Sequence, residues 1–474
     1  MQLSHTRPVA GVVFDEPNLV SSAGLVPVLA LAQRAGLREL GDEHLSVPTD
    51  RGAKAGLKVC SLVAGMVAGA DSIDDMALLR HGGMGRVFTN AYAPSTLGSF
   101  LRSFTFGHVR QLDAVASRFL SGLAARSPVV TGVEELAVVD VDDTVVEVHG
   151  YAKQGAGFGY NKVRGLNALI ATVSTEHAAP VVVAQRLRKG AANSARGAQR
   201  LVRDALKTVG GLSTPGRSGR SGKPSGRVLL RADSAFYGHA VVGAAVKVGA
   251  EVSVTVRLDK RVRAAIAAIP DDAWTTIAYT DAMFDEQTGQ WISQAEVAEI
   301  DFTAFTSKKE AEQVPGRLVV RRIPDLAPNV GPGQATLFDL FRHHAFFTTT
   351  PRAVADTIAA DKTHRGHAII EQVHADLKDS ALAHLPSGRF NANAAWLVLA
   401  VMAFNLTRAA GTLSGAEFAR ATTGTIRRKL INVPARVASS ARRLILHLPQ
   451  AWPWHSAWNH LHSQVSDPPA TLTS

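Results

Sequence analysis

The chain predicts an α/β fold: a mixed-sheet core interrupted by a β-rich insertion, preceded by a helical domain and followed by a helical C-terminal region. Three observations predict it. Short β-branched runs begin near residue 135 (LAVVDV, LNALIATVS, PVVVAQRL and VLLRAD), separated by glycine-containing turns. Helical apolar spacing brackets that strand-rich stretch on both sides. Isolated carboxylates then recur in a fixed order. Asp142 and Asp233 each follow an apolar strand, and Glu371 sits on an amphipathic helix far downstream.

At 474 residues the chain has room for about three ordinary domains. A hydrophobic content of 46% describes a globular protein and not a disordered one. Lysine and arginine outnumber the acids by 51 to 40, a net of +11, which favours a polyanionic partner such as nucleic acid. The competing explanation is a solvated basic surface. A single cysteine, Cys60, excludes an internal disulfide framework and a cysteine-based zinc ribbon. MQLSHTRPVAGVVF lacks a basic region followed by an apolar run, so no signal peptide is expected. The longest apolar run, Ala394 to Phe404, is too short to span a bilayer and reads as a buried helix. The expectation is a soluble cytoplasmic protein with no membrane partner.

Residues 1–130 read as a helical DNA-binding domain, with dense apolar spacing at Val26–Leu37 and Leu57–Ala70 and a helix opened by Pro94. A plain packing bundle is the alternative. Residues 131–257 form the first part of the core. Within it a helix is expected over Asn193–Val209, carrying Arg196, Arg200 and Arg203 on one face, either solvated or tracking phosphates. A basic linker at 210–227 superficially resembles a phosphate-binding loop, but Pro224 stands where Ser or Thr is needed and the spacing is one residue too long. Residues 258–350 form the β-rich insertion, with WTTIAYT, GRLVVRRI and HAFFTTT as strands. Residues 351–412 complete the core through one long helix expected over Pro351–Ala381, and 413–474 are a basic C-terminal region.

The carboxylates suit phosphodiester chemistry. That reaction needs hard oxygen ligands holding two Mg²⁺ or Mn²⁺ ions, one for the attacking and one for the leaving oxygen. An acid at the end of a buried strand is rigidly aimed, which fits Asp142 and Asp233. On a continuous helix His364, His367, His374 and Lys378 would share the face of Glu371, whereas Arg365 would point elsewhere. Asp140, Asp142 and Asp143 all remain candidates for the first ligand. Two rival chemistries use the same residues. DVDDTV matches the nucleophile motif of haloacid-dehalogenase-type phosphatases, but the only later Asp-Asp pair, Asp271-Asp272, lies in a turn-like setting. A zinc site from His367, Glu371 and His374 lacks a further obligatory ligand.

Several motifs together carry a family resemblance. An apolar strand ends in Asp142-Asp143-Thr144 and is followed by His149-Gly150, then by GAGFGYNKVRGLNALIA. Arg231-Ala232-Asp233-Ser234 follows a second strand. Glu371 and Lys378 fit a signature of Tyr, two residues, Arg, three residues, Glu, six residues, Lys, with His364 and His367 at the Tyr and Arg places. With FNANAAWLVLAVMAFNLTR and LPQAWPW, these make residues from about Ala35 to His460 resemble a DDE transposase of the thirteen-eighty group of bacterial insertion sequences, near the IS-four class. The resemblance implies a ribonuclease-H-like core that binds terminal inverted repeats and performs cut-and-paste transposition. Asp142, Asp233 and Glu371 would hold two Mg²⁺ or Mn²⁺ ions, and Lys378 would contact the terminal phosphate. Further DNA contacts are expected from His364, Arg365, His367, Arg188, Lys189 and Trp291, the last (with Trp274) as an aromatic for a flipped base. A homodimer on paired ends, at the nucleoid, is implied as well. The altered Tyr and Arg places suggest an alternative, a transposase-derived DNA-binding protein without catalysis.

Overall fold

The computed structural model describes residues 11–48, 54–89, 91–150, 152–159, 161–212, 226–285, 290–324, 341–440 and 443–466. A two-residue strand β1 (Leu19–Val20) precedes helices α1 (Leu25–Arg34), α2 (Leu37–His44), α3 (Ala55–Ala68), α4 (Met84–Val87), α5 (Pro94–Arg102) and α6 (Phe106–Ala124). Strands β2 (Leu136–Glu147), β3 (Gly157–Phe158), β4 (Arg164–Ser174) and β5 (Val181–Lys189) lead through α7 (Ala198–Leu212) to β6 (Arg227–Ala232). Then come α8 (His239–Val246), β7 (Glu251–Thr255) and α9 (Lys260–Ala267). The next strands are β8 (Thr275–Asp285), β9 (Gln290–Ala304), β10 (Val314–Pro324) and β11 (Phe341–Thr348). Helices α10 (Thr357–Arg365), α11 (Ile369–Lys378), α12 (Phe390–Leu413), α13 (Ala416–Ala419) and α14 (Thr423–Ile426) follow, then β12 (Ala435–Ser440), β13 (Arg443–His447) and α15 (His455–Ser466).

The result is a mixed α/β architecture built on one large mixed sheet. Strand β2 lies between β4, antiparallel to it, and β6, parallel to it, with β7 parallel to β6 and β5 on the outer side of β4. These strands read as continuous apolar runs because both faces are covered: Val139, Val141, Leu169, Ile170 and Leu230 are all fully buried. The sheet does not stop at β7. Strand β11 pairs antiparallel with β7, and β10, β9 and β8 extend the same ladder. The stretch expected as an insertion therefore continues the core sheet edge to edge.

The first six helices do not build a core of their own. They pack with β5 around α12, and one apolar cluster runs from Leu25 through Trp396 to Val465. Helix α12 is apolar and long enough to cross a bilayer, yet its whole apolar window is buried against protein. Its Asn405 amide donates to Val182 O at 2.8 Å and accepts from Val182 N at 2.9 Å. That pair occupies backbone groups which β5, as an edge strand, would otherwise leave open.

Two helices depart from the periodicity. Arg196 precedes α7, because Gly197 at φ +80° breaks the expected run and the helix starts at Ala198. The single helix expected over Pro351–Ala381 is three pieces. Asp356 caps α10 by accepting from Ala359 N at 2.8 Å, and a 3₁₀ turn at Gly366–Ala368 separates α10 from α11. A Cβ on Gly366 would lie 2.5 Å from Arg231 Nη1, so any other side chain there would have to displace the guanidinium that holds Asp140.

Candidate active site

Strand alternation sorts the three aspartates of β2. Asp140 and Asp142 share one face and Asp143 takes the other. Asp143 is buried, and Arg188 Nη2 donates to its Oδ2 at 2.7 Å, with Asn167 as a further donor. Asp140 is fully buried; Arg231 donates to both its oxygens, Nε to Oδ1 at 2.8 Å and Nη2 to Oδ2 at 2.7 Å. His367 Nδ1 lies 2.8 Å from the same Oδ1. Burial and this bidentate partner remove Asp140 as the free nucleophile that a phosphatase reading requires. Asp142 differs from both. Its side chain is 23% exposed, and no arginine or lysine pairs with it among the described residues.

The parallel register of β2 and β6 places Asp233 beside Asp142. The last paired residues are Val141 and Ala232, and each acid is the next residue on its strand. Asp233 starts a short turn by accepting from Ala235 N at 2.9 Å. Burial pushes the Asp142 carboxyl up to about 7 against the Asp143 N–H that stabilises its charge, and the Asp233 charge raises it further. Asp233 is raised as well, again chiefly by burial. Two desolvated, mutually repelling carboxylates without a protein cation form a site that a hard cation would complete.

Helix α11 covers the same face of β2. His367, just before it, touches Asp140, and His374 Nδ1 lies 3.7 Å from Asp142 Oδ2. Burial lowers His374 to about 4, so it faces Asp142 as a neutral imidazole, and its Nε2 is buried without a partner. Glu371 stands four residues after His367 and three before His374, on the stripe whose other members reach the β2 acids. It is exposed. The other acid facing inward on α11, Asp376, is occupied by Thr423 N and Oγ1. Among the described residues no three His, Cys, Asp or Glu side chains already converge as a metal cage. Glu371 is thus on the correct face but outside contact with the aspartates.

The family model for transposase DDE domain group 1 matches residues 3–469 of this chain. The chain belongs to that DDE transposase family. A search of curated proteins finds no match. The family acts by nuclease-type cleavage and transfer of DNA, and the mixed α/β architecture is compatible with it.

In this transposase chain the other residues expected to contact DNA divide sharply. Lys189, at the end of β5, and Lys378, one turn beyond His374, are exposed, and partial burial lowers Lys378. Arg188 is enclosed: besides Asp143 it donates to Ser194 O at 2.6 Å and Arg196 O at 2.8 Å. Arg365 donates to the buried Asp361 at 2.8 Å. His364 faces the sheet, with Ser253 Oγ at 2.8 Å and Thr255 Oγ1 at 3.0 Å from its two ring nitrogens and Phe346 stacked at 4.0 Å. Burial drives its pKa down to about 3, so it stays neutral. Arg188, Arg365 and His364 therefore brace the fold in positions where a DNA contact was expected. Arg322 lies 4.1 Å over the Trp274 ring, which occupies that tryptophan within the sheet extension. The backbone of Trp291 pairs with Phe284 near the end of the β8–β9 hairpin, and its side chain lies outside the described residues. Sequence reasoning missed the Arg231–Asp140–His367 network. Its only local signal was an arginine two residues before Asp233, on the same strand face.

Proposed function

We propose that this chain is a cut-and-paste DNA transposase of the thirteen-eighty group, near the IS-four class, with a ribonuclease-H-like core. It binds terminal inverted repeats as a homodimer on paired ends, at the nucleoid in the cytoplasm. The observation that carries the reading is the unequal treatment of three neighbouring acids. Asp140 and Asp143 are each neutralised by a buried arginine, whereas Asp142, beside Asp233, has none. A protein that supplies counter-charges to two of the three neighbouring aspartates on one strand leaves the third for a cation from outside. The order β5-β4-β2-β6-β7, antiparallel on one side of β2 and parallel on the other, supports the core assignment.

In this reading Asp142, Asp233 and Glu371 hold two divalent ions, Mg²⁺ or Mn²⁺. When bound, these ions supply Lewis-acid stabilisation of attacking and leaving oxygens. The chain's own residues do the positioning. Arg231 and His367 clamp Asp140 beneath the site and fix the height of β2 against the α10–α11 joint. His374, neutral at physiological pH, lines Asp142 without competing as a cation. Glu371, on the same stripe of α11 as His374, would be the third residue to hold the ions, and Lys378 would meet a phosphate of the cleaved end. Water first hydrolyses a strand, and the freed 3′-hydroxyl then attacks target DNA in the same site.

The test incubates purified protein with Mg²⁺ and duplexes bearing the element's terminal repeats. Wild type is expected to nick and join ends, and Asp233→Asn to bind them without cutting. Binding without any cleavage by wild type would instead establish the transposase-derived DNA-binding alternative. Equal cleavage by Asp233→Asn would remove the aspartate from the mechanism.

A further inference from the structure

The positive charge of this protein is concentrated in one segment. Residues 177–232 contain twelve lysines and arginines and one acid, Asp204, a net of +11 that equals the charge of the whole chain. Everything outside that segment sums to zero. Four of the twelve are engaged within the fold: Arg186 with Asp204, Arg188 with Asp143, Arg227 with Glu251 and Arg231 with Asp140. Arg217, Arg220 and Lys223 lie outside the described residues. The remaining five, Lys189, Arg196, Arg200, Arg203 and Lys207, are exposed and make no ion pair among the described residues.

Helix α7 aligns three of them. Arg200, Arg203 and Lys207 recur at i, i+3 and i+7 on its outer face, while Leu201, Val202, Ala205, Leu206 and Val209 bury the inner face against the sheet. The one acid that would oppose them is turned away. Asp204 accepts from Arg110 at 2.9 Å and from Arg186 at 2.8 Å, and so faces α6 and β5. Beyond Lys207 a groove of about 370 Å³ separates α7 from α6, and Arg118 lines its far side.

The position of this stripe is as informative as its charge. Arg188, on the Asp143 face of β2, holds the turn before α7 through the carbonyls of Asn193, Ser194 and Arg196. His367 and His374 approach from the opposite face, that of Asp140 and Asp142. The basic stripe and the carboxylate cleft therefore occupy opposite faces of one sheet. DNA held on α7 is not the strand being cut at that moment.

We propose that the outer face of α7, with Lys189 and Arg196, is a second DNA site: a sequence-independent seat for a duplex segment other than the one in the cleft. The inference rests on the reading that the chain acts on DNA. From Arg200 to Lys207 the helix rises roughly 10 Å, a length over which duplex DNA presents about six phosphate charges. Three cations in line suit that backbone without reading bases. The shared chemistry fits either the flank beyond the cut or the target.

The experiment measures binding of the full chain to a labelled duplex of arbitrary sequence across a salt series, for wild type and Arg200→Gln/Arg203→Gln/Lys207→Gln. These side chains are exposed, so thermal melting is expected to stay unchanged. Loss of three phosphate contacts should flatten the slope of log K against log salt by about 2.7 and weaken binding at least tenfold. Cleavage of pre-bound terminal-repeat DNA lacking flank should persist. Affinity lost only on ends that carry flank assigns the seat to the flank, and strand transfer lost with cleavage intact assigns it to target. An unchanged slope overturns the proposal, as does single-stranded DNA bound as tightly as duplex. Loss of cleavage in step with loss of binding refutes a separate site. Asp233→Asn serves as the control: it should bind arbitrary duplex as wild type does, so failure of the cleavage reading leaves this result standing.

Discussion

Replacing Asp142 by asparagine should make the metal-free protein more stable at alkaline pH while removing its response to divalent ions. Burial lifts this carboxyl from its ordinary 3.8 to about 7. At about 1.36 kcal/mol per pKa unit, ionising it in the folded state costs on the order of 4 kcal/mol relative to the unfolded chain, less what its solvent-exposed quarter recovers. The folded pKa is raised, so the native state holds the proton while the unfolded chain has already released it. Stability of wild type therefore falls as pH rises from about 4 to about 7 and is flat above. Asparagine does not titrate, so the advantage of the variant should grow from near zero at about pH 4 to roughly 2–4 kcal/mol at about pH 8. Guanidinium unfolding in chelator at acid and alkaline pH measures that difference. Adding Mg²⁺ should then stabilise wild type through mass action and leave Asp142→Asn unmoved. A variant no more stable at alkaline than at acid pH, or one that gains as much from Mg²⁺ as wild type, would refute the argument that Asp142 is a desolvated acid awaiting a cation.

Glu371→Gln lies at an exposed position, so folding stability should stay within about 0.5 kcal/mol and end binding should persist, while cleavage drops on the order of 10³-fold, about 4 kcal/mol at the barrier. Arg231→Met leaves Asp140 charged and buried, and denaturant titration should show a loss of about 3–5 kcal/mol, most of it restored by the double variant Asp140→Leu/Arg231→Met. His364→Ala loses two hydroxyl contacts and a ring stack; about 2–3 kcal/mol of stability should disappear, with DNA affinity in a polarisation assay unchanged within about twofold. Gly366→Ala drives a methyl against Arg231 and should reduce both stability and cleavage, the second measured on pre-bound ends.

The strands of the core were legible because their burial on both faces leaves unbroken apolar, β-branched runs, such as Ala137-Val138-Val139 before Asp140. Asp233 and Glu371 were legible as single acids in clear settings. The first acid was not, since three aspartates crowd four positions and only the cross-strand partners separate them. Those partners, Arg231 on the parallel neighbour β6 and Arg188 on β5 beyond β4, lie 91 and 45 residues away, and pairing at such separations leaves no local trace. The joint at Gly366–Ala368 was hidden for a related reason. Helical periodicity runs through His364 to Lys378 without a breaker stronger than one glycine, and the group that meets the chain there, Arg231 donating to Thr363 O, comes from the sheet. The sheet-facing setting of His364 was not legible either, because its contacts, Ser253, Thr255 and Phe346, come from strands distant in sequence.

The edge-to-edge continuation of the sheet sets the helices on either side of that joint over one continuous ladder. Helix α10 rests on β9 and β10, where Ala360 packs with Val319 and Phe346, and buried Arg317 binds the chain ahead of it at Thr350 O. Helix α11 rests instead on β2. The two helices thus rest on different parts of the sheet, and Glu371 is the third residue of α11, just past the turn between them. Because β2 and β9 belong to one ladder, Glu371 and the helix before it share a single platform, and the placement of α11 is tied to strands several positions away from the two aspartates.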